Sequence, residues 1–456
     1  MTERHSLWMA SLSATAIVCF TGLAASFFSV VKPVSEDLAA AQTIPVTLRG
    51  HAAMQQGGTI KTSLTQGAAP EASPMFDRAT EAEDDGRPIE DPEAAFEEAL
   101  RKLESGDARA ALRELQVLAR KRPEFPPGRT LAHSLAAAIS PEALAANAQP
   151  DYVEKRSREL IEEGRMRLLS EQAVPPEGTV PNALLQLAEV HPHVLVVDLQ
   201  RARLYVMENR DGELRLIRQQ YASMGKNGAG KELRGDNRTP IGIYHITRWI
   251  RDQSLPELYG AGAWPTNYPN PWDVFKRRTG SGIWLHGVPR DTESRAPLSS
   301  EGCVTMSNDD LLALTPFVQL GRTPVVLSNE LKWVTPETQQ QDRAAFLARV
   351  EDWRAKWSAK DTEGYLAHYG EDFSAEGMNR REFGVHKHRV NAGKKFIDVQ
   401  LSEINLFRYP GTEEPLMLAE FMMDYRSSNY SMRARKQQFW KQDAAGEWKI
   451  FREENL

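Results

Sequence analysis

The stretch from Ile283 to Met306 constrains this chain more than any other. It reads Ile-Trp-Leu-His-Gly, a polar loop, then Ser-Ser-Glu-Gly-Cys-Val-Thr-Met. Ile283, Trp284 and Leu285 read as a buried strand ending at His286-Gly287. Val288 to Ser299 is rich in Pro, Arg, Asp and Ser, the composition of a surface loop. Gly302-Cys303-Val304 then turns toward a helix expected near Asn308-Asp309-Asp310. Cys303 is one of only two cysteines in 456 residues. A thiol becomes a strong nucleophile when a base or positive field lowers its pKa, and an imidazole within hydrogen-bond reach can serve. A cysteine just ahead of a helix N-terminus would also feel the positive end of the dipole. Backbone N–H groups around Gly302 and Cys303 could hold an oxyanion. Singly, a histidine beside a strand is usually structural, and a lone cysteine is usually a small buried hydrophobe. Together, flanked by glycine, the pair points to catalysis.

Two segments, in order, resemble a known family. His286-Gly287, the loop, and Ser300-Glu301-Gly302-Cys303 resemble the signature of the L,D-transpeptidase catalytic-domain (YkuD-type) family. Upstream, Gly235-Asp236-Asn237-Arg238-Thr239-Pro240-Ile241-Gly242-Ile243-Tyr244 resembles that family's G-D-x-x-T-P-x-G-x-Y segment. The resemblance covers Pro192 to Ser328. It implies a bacterial cysteine acyltransferase acting on peptidoglycan stem peptides, with Cys303 as nucleophile and His286 as general base and acid. Gly302 is expected as a backbone oxyanion donor, and Arg238, Gly287, Ser300 and Tyr244 as substrate contacts. The implied chemistry requires no cofactor and no metal. Arg238 has two readings: its forked donors suit a substrate carboxylate, or it pairs with Asp236 at the surface. Two departures stand out. Many family members carry a second histidine before the Gly-Cys and an arginine two residues after the Cys, where this chain has Glu301 and Thr305. A carboxylate beside a thiol raises its pKa. The acyl acceptor, and with it transfer versus hydrolysis, stays open.

The rest of the chain suggests a multidomain protein. Residues 1–31 read as a signal anchor, because Leu7 to Val31 carries no charge and about 20 apolar residues span a bilayer. A cleaved signal peptide with a site near Ala24-Ala25 is the alternative. Either way the chain is expected on the periplasmic side of a bacterial inner membrane. Residues 32–87 have no apolar period and read as a disordered linker. Residues 88–182 read as helical. Phe96, Leu100 and Leu103, then Ala111, Leu112, Leu115 and Leu118, fall at helical spacing around a Gly106-Asp107 break. This resembles one tetratricopeptide-type hairpin, or a helical spacer. A further helix is expected to bury Leu160, Ile161, Met166 and Leu169. Residues 183–334 read as the mostly-β catalytic domain, with a long aromatic insertion, Asp252–Thr279, either a lid or packing against the sheet.

From Thr335 a helical stripe (Phe346, Val350, Trp353, Trp357) and four strand-like runs resemble the α+β cone of the nuclear-transport-factor family. That layout is similar to certain bacterial L,D-carboxypeptidases that shape the cell. The cone or the helical region could bind a wall or membrane protein. His386-Lys387-His388 has metal-ligand spacing without an evident third ligand, so it reads as a solvated loop pair. The formal net charge of −6, without a basic stripe, gives no sign of nucleic-acid binding. The rival reading is a catalytically inactive wall-binding scaffold, with Glu301 marking a dead site.

Overall fold

The structure is a computed structural model and describes residues 88–455 apart from 148, 150, 173, 291, 293, 294 and 376. The expected anchor and linker lie outside the described residues. Among the described residues no helix is long and apolar enough to cross a membrane.

Five helices come first: Pro92–Glu104, Ala108–Lys121, Pro126–Ala138, Pro141–Ala146 and Tyr152–Gln172. Asp91 and Asp107 cap the first two, each carboxylate accepting N–H groups that the helix leaves unpaired. Phe96, Leu100, Leu103, Leu115, Leu131 and Leu160 form their common core. In the last helix, Leu160, Gly164 and Leu168 make an i, i+4, i+8 stripe facing inward. A Cβ at Gly164 would lie 2.9 Å from Leu100, so the helices close on a glycine contact there. Leu169, expected inside, is 59% exposed, and its neighbour Leu168 is buried instead. The close approach at Gly164 sets the helix phase.

Next comes a five-stranded sheet in the order Glu213–Tyr221, Arg203–Arg210, His193–Asp198, Pro324–Ser328, Gly242–His245. The strand His193–Asp198 is apolar on both faces because both are covered. Val194 and Val196 point into a core shared with the C-terminal domain. Leu195 and Val197 point into a second core, which backs the candidate site. A smaller sheet, ordered Val304–Thr305, Trp284–His286, Gly262–Pro265, Ile250–Arg251, lies against that second core.

The C-terminal domain packs the helices Pro336–Ser358, Thr362–Leu366 and Arg380–Ala392 with a seven-stranded sheet. Phe346, Val350, Trp353 and Trp357 form the buried stripe of its long helix. The strand Leu184–Gln186, which the sequence places at the start of the catalytic domain, instead completes the edge of this C-terminal sheet. His386 and His388 sit on the helix Arg380–Ala392, not in a loop, and His388 pairs with Glu363 at 3.2 Å. The reversal has a local cause: Asn379 and Glu382 form a reciprocal capping box that starts the helix.

One apolar core joins the two sheets. Phe407, Leu418, Phe439 and Phe451 from one pack with Val194, Val196 and Ile243 from the other, and with Trp272. Asn270 Nδ2 donates to Tyr409 Oη at 2.8 Å across this junction. Gly411, at φ +69°, lies so close to Ile241 that a side chain has no room. Phe439→Ala should therefore cost about 3–5 kcal/mol. Calorimetry should then show both sheets unfolding in one lowered transition. Two separate transitions would contradict the shared core.

Candidate active site

The strand Trp284–His286 runs parallel to Val304–Thr305, with Leu285 opposite Val304 and His286 opposite Thr305. Leu285 and Val304 are fully buried and belong to the core behind the site. Alternation sends His286 and Thr305 to the other face. Cys303 lies two positions before Thr305.

The His286 imidazole is 3% exposed, with Nδ1 2.7 Å from the Gly287 carbonyl oxygen. A carbonyl has no proton to give, so Nδ1 carries the hydrogen and Nε2 keeps its lone pair. The Tyr259 ring meets the imidazole edge-on at 4.8 Å and packs against Trp284 at 5.0 Å. The aromatic insertion thus packs rather than hanging free, and one of its rings walls the histidine. Burial pulls His286 down to about 4; the Gly287 bond opposes this, and the Arg295 charge adds to it.

Cys303 is half-buried, and its thiol donates to the Gly282 carbonyl at 3.4 Å. Burial pushes the thiol up to about 11. The Trp284 N–H, Lys231 and Arg295 oppose the rise, while the Glu301 carboxylate adds to it. The resting pair is therefore a neutral thiol and a neutral imidazole, and the thiol proton points to Gly282 rather than to His286. The expectation of a thiol lowered in advance does not hold in this resting geometry. Desolvation outweighs the nearby cations, and the helix Asn308–Ala313 begins only after an intervening strand. Glu301 is 82% exposed and lies 3.8 Å from Lys226.

The turn before Cys303 is held from inside. Ser300 Oγ donates to the Cys303 carbonyl at 2.6 Å and accepts the Gly302 N–H at 3.1 Å. Gly302 has φ +123°, and a Cβ there would lie 2.8 Å from the Arg238 carbonyl. Ser300, expected as a substrate contact, is a buried clamp on this turn. The Gly302 N–H, expected to hold the oxyanion, is engaged by Ser300.

Tyr244, expected as a substrate contact, is a core residue. It is 0% exposed, and its hydroxyl donates to Asp273 Oδ2 at 3.0 Å in the core. Gly287 is buried against Asn308 and contributes its carbonyl to His286. The proposed Arg238–Asp236 side-chain pair is absent among the described residues. Lys231 takes that carboxylate at 2.7 Å, and the exposed Arg238 guanidinium donates to the Ala229 carbonyl at 3.0 Å. Tyr259 belongs to the aromatic insertion, while two further residues near the site, Lys231 and Arg295, stand outside the motifs. Lys231 is 3% exposed and had one signal, a lysine inside a glycine-rich loop shortly before Asp236. Arg295 sits in the polar loop, its carbonyl held by Tyr221 Oη at 2.9 Å, and no periodicity marks it.

The family model for the L,D-transpeptidase catalytic domain (YkuD) matches residues 192–327. Bd1075 of Bdellovibrio bacteriovorus is 30% identical, with a TM-score of 0.54 over 61% of this chain and 98% of that one. The chain belongs to the L,D-transpeptidase catalytic-domain family. A second model, the Cds6 C-terminal NTF2-like domain, matches residues 345–454, so this family member carries a nuclear-transport-factor-like domain after the YkuD domain. Pgp2 of Campylobacter jejuni, described as a helical cell shape determining protein, is 29% identical, with a TM-score of 0.51 over 60% of this chain and 95% of that one. No curated protein matches the chain.

The buried histidines make stability depend on pH. His286 and His191 are each pulled from the ordinary 6.5 to about 4, chiefly by burial. As pH falls from about 6.5 to about 4, the unfolded chain takes up protons that the folded chain refuses. The stability present above 6.5 is lost across that window, and melting temperature should fall through it. His286→Gln should flatten the fall. A wild-type melting temperature that holds steady across the window would contradict these assignments.

Proposed function

We propose that this YkuD-family chain is a peptidoglycan-remodelling cysteine enzyme, with Cys303 as nucleophile and His286 as its base and acid. The observation that carries this reading is the Nδ1–H bond to Gly287, which leaves Nε2 as an acceptor on a strand paired beside the cysteine. Rotation of the thiol away from Gly282 brings its proton to Nε2; catalytic hydrogen bonds often tighten only once substrate is bound. With the thiol near 11 and the imidazole near 4, proton transfer in the resting site is strongly uphill. The proton therefore moves as sulfur attacks.

Sulfur bonds to the carbonyl carbon between an L-centred and a D-centred residue of a stem peptide, and the Sγ proton passes to Nε2. The carbonyl becomes an oxyanion held by backbone N–H groups of the turn, where the Gly302 donor can exchange Ser300 for substrate. The carbon–nitrogen bond breaks, and the leaving amine takes the proton from Nε2. The remaining thioester is opened by an amine of a second stem, forming a cross-link, or by water, giving L,D-carboxypeptidase action. In either case Nε2 takes the incoming proton and the thiol is restored. Arg295, a cation beside both reacting groups, stands in for the arginine that Thr305 replaces and receives a substrate carboxylate. Arg238 is the second candidate for such a contact. The uncharged run Leu7–Val31 supports a membrane-tethered chain on the periplasmic side, and the likeness to Pgp2 supports a role in cell shape.

Cys303→Ala should abolish conversion of tetrapeptide muropeptides, read by mass, while leaving the melting temperature near that of wild type. Conversion at the wild-type rate would overturn the mechanism. Arg295→Ala should raise KM by about tenfold or more, the worth of one charge-assisted hydrogen bond, with a smaller change in kcat. An unchanged KM would remove Arg295 from the substrate site. The scaffold reading draws on one observation, the high thiol and low imidazole pKa values with Glu301 alongside. It predicts that the wild-type chain binds stem peptides and returns them at unchanged mass.

A further inference from the structure

The helix Tyr152–Gln172 lies outside both matched family segments, yet its contacts lead into the active site. Its C-terminal turn is fastened to the catalytic domain: Ser170 Oγ donates to the Arg201 carbonyl at 2.6 Å, and Glu171 pairs with Arg203 at 3.1 Å. One turn earlier, the Arg167 guanidinium lies over the Tyr221 ring at 4.1 Å. The carboxylate of Glu163, 0% exposed, accepts from Arg167 Nε at 2.9 Å and fixes that guanidinium. Tyr221 is itself buried, ends the strand Glu213–Tyr221, and donates its hydroxyl to the Arg295 carbonyl at 2.9 Å. The chain just beyond Tyr221 splints the active-site loop. The Met224 N–H donates to the Pro297 carbonyl and the Lys226 N–H to the Ser300 carbonyl, each at 2.8 Å. Ser223 and Thr305 exchange backbone hydrogen bonds of 2.8 and 3.0 Å, two residues past Cys303. The helix also presents Arg156 and Glu159, paired at 2.9 Å, and both charges act on the Arg295 guanidinium. A charge carried on a loop acts where the loop backbone is held, and the grip on Arg295 comes from a tyrosine that the helix covers.

We propose that the helical unit completes the active site: through Tyr221, its last helix positions Arg295 beside Cys303 and so sets a preference for acyl substrates that carry a carboxylate. Tyr221 is a positioning residue and touches no substrate. Glu163 and Arg167 act one step further back, by holding the tyrosine ring. This deepens the reading of Arg295 given under the proposed function and rests on it.

The test reads the Cys303 sulfur directly in the full chain, as the rates at which anionic iodoacetate and neutral iodoacetamide alkylate the proteolytic segment that contains it. Both reagents need the thiolate, so the ratio of their rates cancels any change in thiol pKa and reports the charge that the reagent meets. Arg295→Ala should lower the iodoacetate-to-iodoacetamide ratio roughly fivefold, the worth of one nearby charge in water-like surroundings. Tyr221→Phe should lower it by about twofold or more, as loss of one neutral hydrogen bond lets the loop shift. Once Arg295 is alanine, Tyr221→Phe should change the ratio no further. Glu163→Gln with Arg167→Met, which replaces the buried pair by neutral groups together, should act in the same direction as Tyr221→Phe. With a stem tetrapeptide, Tyr221→Phe should raise KM and leave kcat nearly unchanged. The proposal is overturned by a ratio indifferent to Arg295→Ala, by a Tyr221→Phe chain whose melting temperature falls while its ratio stays at the wild-type value, or by a folded double variant with an unchanged ratio. A tyrosine that only stabilises the fold gives the second of these results. Alkylation needs no turnover, so a chain that shows the expected ratios but converts no stem peptide would sink the enzymatic reading and leave the positioning of Arg295 standing.

Discussion

The parallel register between Trp284–His286 and Val304–Thr305 is the constraint on which the site depends. Side chains alternate along a strand, so a slip of one residue would send His286 into the core and Leu285 out of it. The register is fixed by burial. Leu285 and Val304 are both fully enclosed beside Leu195, Val197 and Val325. The apolar half of each short strand thus decides where its reactive half stands. The loop between them is held from its own residues as well, through Ser300 and through the Arg295 carbonyl bonded to Tyr221.

The electrostatics follow from the same burial. Enclosing His286 under Tyr259 keeps the ring neutral and its lone pair available. Enclosing the sulfur keeps it protonated despite two nearby cations. Desolvation penalises both charged forms at once, so the pair does not rest as a thiolate and imidazolium. The resting site thus holds a protonated thiol beside a neutral imidazole. Gly287 fixes the tautomer through its backbone carbonyl, and the Ser300 hydroxyl and the Gly302 backbone shape the turn beside Arg238.

The motif residues were legible because chemistry restricts them. A histidine before a glycine and a cysteine after one are rare enough, at that spacing, to name the family from sequence. Other features were set by contacts distant in sequence. Tyr244 became a core residue because Asp273, in the aromatic insertion, receives its hydroxyl. Asp236 lost Arg238 to a competing lysine within a glycine-rich loop. Leu184–Gln186 crossed into the C-terminal sheet because the edge of the strand Ile397–Arg408 was there to receive it. The exchange between Leu168 and Leu169 turned on a single close approach at Gly164. In each case local pattern was correct as far as it went, and a partner elsewhere decided the outcome.

The most direct test is the intact mass of the protein, quenched in acid shortly after mixing with a stem tetrapeptide. A covalent acyl adduct should appear, map by proteolysis to the segment containing Cys303, and decay as product forms. Product accumulating with no adduct on that segment, in an assay able to detect a thioester, would contradict nucleophilic attack by this sulfur.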